Sequence, residues 1–149
     1  MRLVVQRVSN AKVEVDNRTT GEIEQGFLVL LGVTHTDTKE TADFLVKKLC
    51  NLRVFEDENE KMNLSIQDIK GELLVISQFT LYGDCRKGRR PSFDKAGHPT
   101  LAKQLYDKVC TYFAENGIKT ETGRFGADMK VQLINDGPVT ILLDSKKLF

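Results

Sequence analysis

The chain has 149 residues, a length that suits one domain with a hydrophobic core of its own. Its 22 basic and 21 acidic residues nearly balance, so the overall charge does not indicate a nucleic-acid-binding protein, and any such binding must come from a local patch. The N-terminal residues carry charge too early for a signal peptide and no apolar run is long enough for a membrane span, so we expect a cytoplasmic protein without membrane contact.

Apolar and β-branched runs predict strands, in chain order, at residues 2–15, 26–33, 53–55, 71–76, 129–134 and 139–143. The first of these alternates loosely and is expected to be long or bent. Residues 16–21 supply a turn that joins the first two strands into a hairpin, and residues 119–126 are expected to be irregular.

Two segments have the apolar periodicity of a helix. One is capped by Asp37 or Thr38 and ends near Leu52, and the other begins at Pro99 and ends near Gly117. Because strands outnumber helices and several are joined by short turns, we expect an α+β fold in a single domain over residues 1–149. Its mainly antiparallel, barrel-like sheet should carry both helices on one face.

The central apolar strand leads directly into polar side chains. Leu73–Ile76 has the composition of a strand buried on both faces, and Ser77, Gln78 and Thr80 follow it. An unpaired hydroxyl or amide in a buried place costs about 1–3 kcal/mol. These groups therefore either close a hydrogen-bond network or face a pocket.

Two hydroxyl groups are candidate nucleophiles, but a hydroxyl needs a base. The chain has only His35 and His98, and neither forms a recognisable triad pattern with Ser77 or Thr80. The sequence predicts no metal site, because no cluster of His, Cys and carboxylate residues has ligand spacing. The three cysteines are odd in number and are expected to be reduced thiols.

Two further stretches allow a structural and a functional interpretation. The basic run consists of Arg86, Lys87, Arg89 and Arg90 and lies close to Phe93. It is either a solvated face or a site that binds phosphates together with a stacked base. The sequence Asn-Asp-Gly-Pro at 135–138 is either a hairpin turn or a device that aims two successive backbone carbonyls in one direction. The cis peptide that would do so lies only about 0.5–1 kcal/mol above trans before proline.

Together these stretches resemble a known family. Ser77-Gln78-Phe79-Thr80-Leu81 and the Asn-x-Gly-Pro-Val-Thr stretch at 135–140 resemble the pair of signature motifs of the D-aminoacyl-tRNA deacylases, hydrolases that check chirality in translation. Further blocks match at residues 2–8, 86–93 and 123–129, so the resemblance covers the whole chain. The intact first motif argues against a related group of deacylases that changes it and uses a trans Gly-Pro bond.

The resemblance implies a homodimer with each active site at the interface. Gly137 and Pro138, joined by a cis peptide, would reach into the partner's pocket and exclude L-aminoacyl groups, and Arg7 would hold this turn. D- and L-aminoacyl groups contain the same atoms, so attractive contacts alone distinguish them poorly. A rigid wall at the place of the L side chain would add the repulsion that excludes the L-substrate. Glycine has no side chain to reject, so glycyl-tRNA mischarged on tRNA-Ala is an expected secondary substrate.

The resemblance also implies the site residues. Ser77, Gln78, Phe79 and Thr80 would line the pocket around the terminal adenosine and the ester, with Phe125 and Met129 nearby and no cofactor. Either Thr80 is the nucleophile, or backbone amides near Phe79 and Thr80 form an oxyanion hole while the ribose 2′-hydroxyl assists; the absence of a recognisable base favours the second route. The basic run would contact the backbone of the acceptor stem.

Two other functions remain open at this point. One is a general esterase that uses Ser77 or Thr80 on small substrates without RNA. The other is a non-catalytic module that binds the acceptor end of tRNA through the basic run. Neither accounts for both motifs together.

Overall fold

The computed structural model describes residues 1–149. Eight strands and two α-helices occur in the order β1 (Arg2–Val15), β2 (Arg18–Ile23), β3 (Gly26–Gly32), α1 (Lys39–Cys50), β4 (Phe55–Glu56), β5 (Met62–Leu64), β6 (Glu72–Ser77), α2 (Pro99–Glu115), β7 (Thr120–Thr122) and β8 (Lys130–Asp144). A 3₁₀ helix, Phe79–Tyr82, lies between β6 and α2. Neither α-helix has the length and apolar content that crossing a membrane would require.

Six strands form one sheet in the order β2-β1-β3-β6-β7, with β8 paired to β1 as well. The pairs that involve β1 are antiparallel, whereas β3-β6 and β6-β7 are parallel. A Cβ on Gly21 of β2 would lie only 2.7 Å from the carbonyl oxygen of Thr122 on β7, so the two ends of this order meet. The sheet is therefore nearly closed, and the expected α+β fold with a barrel-like core is confirmed.

The buried side chains form two clusters on opposite faces of the sheet. The interior of the barrel is filled by Val8, Ala11, Val13, Ile23, Leu28, Leu74 and Ile76. The larger cluster joins the outer face of the sheet to both helices, as expected. Strand β6 contributes to both clusters, with Leu73 and Val75 on the helix side, which confirms that it is buried on both faces.

Besides β5, two short strands, β2 and β7, were not expected from the sequence. The turn after β1 contains only Asp16 and Asn17, both with positive φ, and β2 begins immediately after them where a longer turn was predicted. Residues 120–122 form β7 within a segment expected to be irregular. Both strands are short and polar, and pairing with β1 or β6 stabilises them, so their own composition does not indicate a strand.

Residues 130–144 form one long strand rather than two strands joined by a turn. Gln6 of β1 pairs with Thr140, whereas Val8 pairs with Asn135, so residues 136–139 leave the ladder and protrude. The interpretation of this segment as a hairpin is wrong, because both halves of β8 pair with the same strand in the same direction. We call residues 136–139 the Gly-Pro bulge.

The predicted helices are confirmed. Thr38 caps α1 with a reciprocal pair of hydrogen bonds to Thr41, and α2 begins at Pro99. The three cysteines are free thiols, as expected. Burial raises the pKa of Cys50 to about 11 and that of Cys110 to about 12, which keeps both thiols protonated near neutral pH.

Candidate active site

A cavity of about 780 Å³ opens where β6 ends. Most of its wall comes from three parts of the chain: the residues that end and follow β6, the segment 93–99 that leads into α2, and the segment 125–131 that leads into β8. Residues at the end of β3 and just after it, and two residues of α2, complete the lining: Leu31, Val33, His35, Ala102 and Tyr106. Most of the lining side chains are hydrophobic, with a few polar groups among them. Both its size and its lining are those of a site for a small molecule or for one end of a larger ligand.

The motif at residues 77–80, which we call the central motif, supplies one wall of this cavity. Ser77, Gln78 and Phe79 line it, whereas Thr80 is exposed and is not among the lining residues. The backbone N–H of Gln78 donates to Leu31 of β3 at 2.7 Å, which continues the sheet pairing by one residue. The side-chain amide of Gln78 donates to the Thr80 hydroxyl at 2.5 Å.

The 3₁₀ helix begins directly at the motif. Its first two N–H groups belong to Phe79 and Thr80, and these have no acceptor within the helix because no turn precedes them. The N–H groups of Leu81 and Gly83 donate to Gln78 and Thr80 at 3.3 and 2.9 Å. The strand end is therefore followed by two backbone donors without an acceptor in the helix, and one of them belongs to Phe79, which lines the cavity.

A second wall is fixed by contacts to the chain that follows β3. The Thr34 hydroxyl donates to the carbonyl of Lys95 at 2.6 Å, and the Gly97 N–H donates to the carbonyl of Val33 at 2.8 Å. The ring of Phe93 meets that of Phe79 edge to face, with 5.1 Å between the ring centroids. The segment that follows the basic run thus lines the cavity with Phe93, Asp94, Ala96, Gly97 and His98.

Both histidines of the chain also line the cavity. His35 Nε2 lies 2.9 Å from the carbonyl oxygen of Asp94, and His98 Nδ1 accepts the N–H of Thr100 at 3.3 Å. Neither imidazole is hydrogen-bonded to Ser77 or to Thr80, so no Ser-His or Thr-His pair is present. No group of three or more His, Cys, Asp or Glu side chains is arranged to hold a metal ion.

Phe125 and Met129 line the cavity on its third side. Phe125 packs on Tyr106 of α2, with 5.8 Å between ring centroids, and the Tyr106 hydroxyl donates to the carbonyl of Val75 at 2.7 Å. Burial raises the pKa of Tyr106 well above the usual range of a phenol. Sequence reasoning missed Tyr106, because its spacing on α2 fits an ordinary core residue.

The Gly-Pro bulge lies apart from this cavity. Gly137 and Pro138 are exposed, they are joined by a cis peptide, and neither is among the lining residues. Gly137 has a φ of +123°, and a Cβ there would lie 3.0 Å from Arg7 Nη2. Arg7 is almost fully buried and donates to the backbone oxygens of Asp136 and Val54 at 3.1 and 2.7 Å. The bulge is therefore held firmly on its own strand while its tip is exposed.

The basic run lies beyond the Phe93 wall and lines no part of the cavity. Asp84 pairs with Ser92 through two backbone hydrogen bonds that close this loop. Arg86 forms an ion pair with Asp84 at 2.5 Å and lowers the pKa of that carboxyl far below its usual range. Lys87, Arg89 and Arg90 are exposed and form no ion pair.

Comparison with known proteins identifies the family. A sequence model described as D-Tyr-tRNA(Tyr) deacylase matches residues 4–144. The chain belongs to the D-aminoacyl-tRNA deacylase family. Curated D-aminoacyl-tRNA deacylases of Thermosipho africanus and Clostridioides difficile are each 60% identical to it over 149 residues, covering all of both chains. The resemblance inferred from the motifs is confirmed, and so is the prediction of a deacylase-type hydrolase.

Solved structures give the same fold. A protein titled c-Myc DNA Unwinding Element Binding Protein has a TM-score of 0.91 and 39% identity, over 97% of this chain and 98% of its own. A probable eukaryotic D-amino acid tRNA deacylase has a TM-score of 0.83 at 17% identity, over 95% of this chain and 97% of its own, and supports the fold alone. The cavity at the end of β6 therefore belongs to a chain with the sequence and the fold of a D-aminoacyl-tRNA deacylase.

Proposed function

We propose that this protein hydrolyses the ester bond of D-aminoacyl-tRNA in the cytoplasm and releases the D-amino acid and free tRNA. One observation carries the proposal: in a chain of the deacylase family, the Ser77-Gln78-Phe79 motif lines a cavity directly beside two backbone N–H groups without a helical acceptor. The cavity volume of about 780 Å³ is adequate for an adenosine with its aminoacyl group.

In the proposed mechanism the N–H groups of Phe79 and Thr80 stabilise the oxyanion. Water adds to the ester carbonyl, and negative charge develops on the carbonyl oxygen. The bond to the ribose oxygen then breaks, and the proton given up by the water is transferred to the ribose oxygen. Preorganised backbone donors are worth about 2.7–4 kcal/mol each in such sites. The terminal 2′-hydroxyl of the tRNA assists, and Thr80 does not attack, because its hydroxyl accepts a hydrogen bond from Gln78 and contacts no base.

In the same proposal, chiral selection depends on a second copy of the chain. The carbonyls of Gly137 and Pro138 from one subunit face the chiral centre in the partner's cavity and leave no room for an L side chain. Three observations support this: the bulge protrudes from β8, its tip is exposed, and it lines no part of its own cavity. Glycyl-tRNA, including tRNA-Ala mischarged with glycine, passes this wall and is hydrolysed.

The unpaired edge strand supports a homodimer. β8 pairs only with β1, and its large apolar residues Ile134 and Leu142 are 58% and 51% exposed. Exposed apolar side chains on an edge strand favour burial against another chain, and symmetric dimers are the commonest solution. The basic run would contact the phosphates of the acceptor stem, which is a grip that does not depend on base sequence.

The first test is deacylation of D-tyrosyl-tRNA and L-tyrosyl-tRNA at substoichiometric enzyme, with glycyl-tRNA alongside. We expect turnover of the D-ester and the glycyl ester, with the L-ester intact. Equal rates for both enantiomers would indicate a general esterase, which should also tolerate a terminal 2′-deoxyribose. Binding of charged tRNA without faster deacylation would indicate a non-catalytic module.

A complementation experiment tests whether the site is shared between subunits. Gln78→Ala damages the cavity and should lower hydrolysis, whereas Gly137→Ala damages the bulge and should admit the L-ester. If the bulge acts in the partner's cavity, an equimolar mixture places half of the Gly137→Ala subunits in mixed dimers, where their cavities face the intact bulge of a Gln78→Ala subunit. Hydrolysis of the L-ester per Gly137→Ala subunit should then fall by about half. An unchanged rate would show that cavity and bulge act within one subunit or not at all.

A further inference from the structure

The side chain of Arg2 joins three separate parts of the molecule. Its Nε donates to Asp144 Oδ2 at 2.9 Å, and its Nη1 donates to the backbone oxygen of Leu81 at 3.0 Å. Its guanidinium carbon also lies 4.7 Å from the centre of the Tyr82 ring. The first strand, the last strand and the 3₁₀ helix therefore meet at one guanidinium.

The anchor of Arg2 is rigid. Arg2 and Asp144 are partners in the register of β1 and β8, and Asp144 is only 8% exposed. The other carboxylate oxygen of Asp144 accepts the N–H of Lys146 at 2.6 Å, which fixes the carboxylate plane. A buried carboxylate with two partners holds the guanidinium in one orientation, so Arg2 acts from the sheet rather than from a loop.

Arg2 contacts the 3₁₀ helix, Phe79–Tyr82, that follows β6. The last carbonyls of a helix lack partners within it, and Arg2 satisfies the one at Leu81. Tyr82, the last residue of this helix, is buried beneath the guanidinium. The same four-residue helix begins with the N–H groups of Phe79 and Thr80, so a shift of its last turn also moves these donors.

We propose that Arg2 is a positioning residue for deacylation, which sets the two backbone donors by holding the carbonyl of Leu81. This inference rests on the proposed function of those donors. Arg2 does not line the cavity, so its effect on the reaction is indirect. A displacement of about 0.5 Å of such a group is enough to reduce catalysis, which is why its support must be rigid.

The role requires arginine rather than any positive charge. Nε and Nη1 of one planar group reach Asp144 and Leu81 at the same time, whereas a lysine ammonium is a single point of charge on a flexible stem. Arg2→Lys therefore keeps the charge beside Asp144 and loses the simultaneous bond to Leu81. This variant separates positioning from the simple need to neutralise a buried carboxylate.

The test compares Arg2→Lys, Arg2→Ala and a stability control, Leu49→Ala, in steady-state deacylation of D-tyrosyl-tRNA and in thermal unfolding. Leu49 is fully buried on α1 and lies outside the cavity. For Arg2→Lys we expect kcat to fall about tenfold with KM within about twofold and Tm near that of the wild type. Leu49→Ala should lower Tm and leave kcat unchanged at temperatures well below unfolding.

Amide hydrogen exchange provides a readout that does not depend on activity. In Arg2→Lys, the amides of Leu81 and Gly83 should exchange at least about fivefold faster, because the helix loses its C-terminal anchor. Wild-type kcat together with unchanged exchange in Arg2→Lys would overturn the proposal. A kcat loss that follows Tm equally in all three variants would also overturn it.

The two proposals fail in different ways. If the wild type lacks deacylase activity, the proposed function fails, and faster exchange in Arg2→Lys still supports the anchoring of the helix by Arg2. If the wild type is active and Arg2→Lys equals it in both readouts, only the role of Arg2 fails.

Discussion

The Nε of Arg7 donates to the backbone oxygen of Asp136 at 3.1 Å, so a residue of the first strand holds the first residue of the Gly-Pro bulge. Nη1 of the same side chain donates to Val54 at 2.7 Å, and the side chain is almost completely buried. The backbone oxygen of Arg7 in turn accepts the side-chain amide of Asn135 at 2.9 Å. Arg7 thus holds the bulge in two ways: its side chain donates to Asp136, and its backbone oxygen accepts from Asn135.

Arg7→Lys should loosen the bulge. A lysine cannot donate to Asp136 and Val54 in the same fork geometry, so one buried acceptor loses its partner. We expect the free energy of unfolding to fall by about 1–3 kcal/mol, measured in urea. Hydrolysis of L-tyrosyl-tRNA should rise relative to the D-ester. Arg18→Lys, at an exposed position on β2, is the matched control and should change neither quantity.

Gly137→Ala should damage the bulge through its side chain. The residue has a φ of +123°, and a Cβ would lie 2.8 Å from Val139 Cγ2. Gly117→Ala is the control, because Gly117 has a φ of +78° and no atom within 4 Å of a Cβ. Since both changes strain the backbone but only the first also clashes, Gly137→Ala should be the less stable variant and should lose D/L discrimination. Equal unfolding free energies would show that the neighbours of Gly137 yield freely.

Thr80→Ala should keep substantial activity, within about tenfold of the wild-type kcat, because the hydroxyl contacts no base and the proposed donors are backbone groups. The measurement is kcat and KM for D-tyrosyl-tRNA. Thr100→Ala, at the first turn of α2, serves as a control for the substitution itself. Loss of activity to background with intact substrate binding would instead make Thr80 the nucleophile.

Neutralising Arg89 and Arg90 should weaken tRNA binding and reduce its dependence on salt. Both are exposed without an ion pair, so we expect the slope of log K against log salt to flatten by about 1.4–1.8 for two lost phosphate contacts. Arg86→Gln should have a smaller effect, since Arg86 already pairs with Asp84. The control is Lys39 and Lys48 on α1, both changed to Gln. An unchanged slope would make the basic run a solvated surface.

Two of the three tyrosines should resist ionisation while the protein is folded. Burial is the main cause that raises the pKa of Tyr82 and of Tyr106, and negative charge from Asp37 and Asp144 adds to it at Tyr82. Below about pH 10 both tyrosines are protonated in the folded and in the unfolded protein. Above about pH 10 the unfolded chain loses these phenol protons first, so the free energy of unfolding should fall as the pH rises. An absorbance titration suits this protein, which lacks tryptophan.

In that titration Tyr82 and Tyr106 should ionise only with alkaline unfolding. Tyr106→Phe should remove one of the two late ionisations, and Tyr112→Phe should leave both. Ionisation of Tyr82 and Tyr106 before the loss of circular dichroism would contradict the burial of these two side chains.

Sequence patterns predicted the parts of the fold that local composition determines. The apolar run of β6, the capped start of α1 and the Pro start of α2 each depend on residues within a few positions, and each is confirmed. The motif at 77–80 and the Gly-Pro stretch indicated the family because they resemble its two signature motifs. The matching blocks at residues 2–8, 86–93 and 123–129 strengthened that resemblance.

Only the tertiary structure decided how the motifs are arranged. Strand β2 forms in a tight hairpin with β1, and β7 forms because it pairs with β6, which is distant in the sequence. The supposed hairpin at 135–138 is a bulge because both halves of β8 pair with β1. The cavity takes His35 and Tyr106 from segments that carry no motif, and it includes Ser77 but not Thr80. Periodicity describes which face of an element is buried, whereas long-range register determines which side chains share a site, and register cannot be read from local composition.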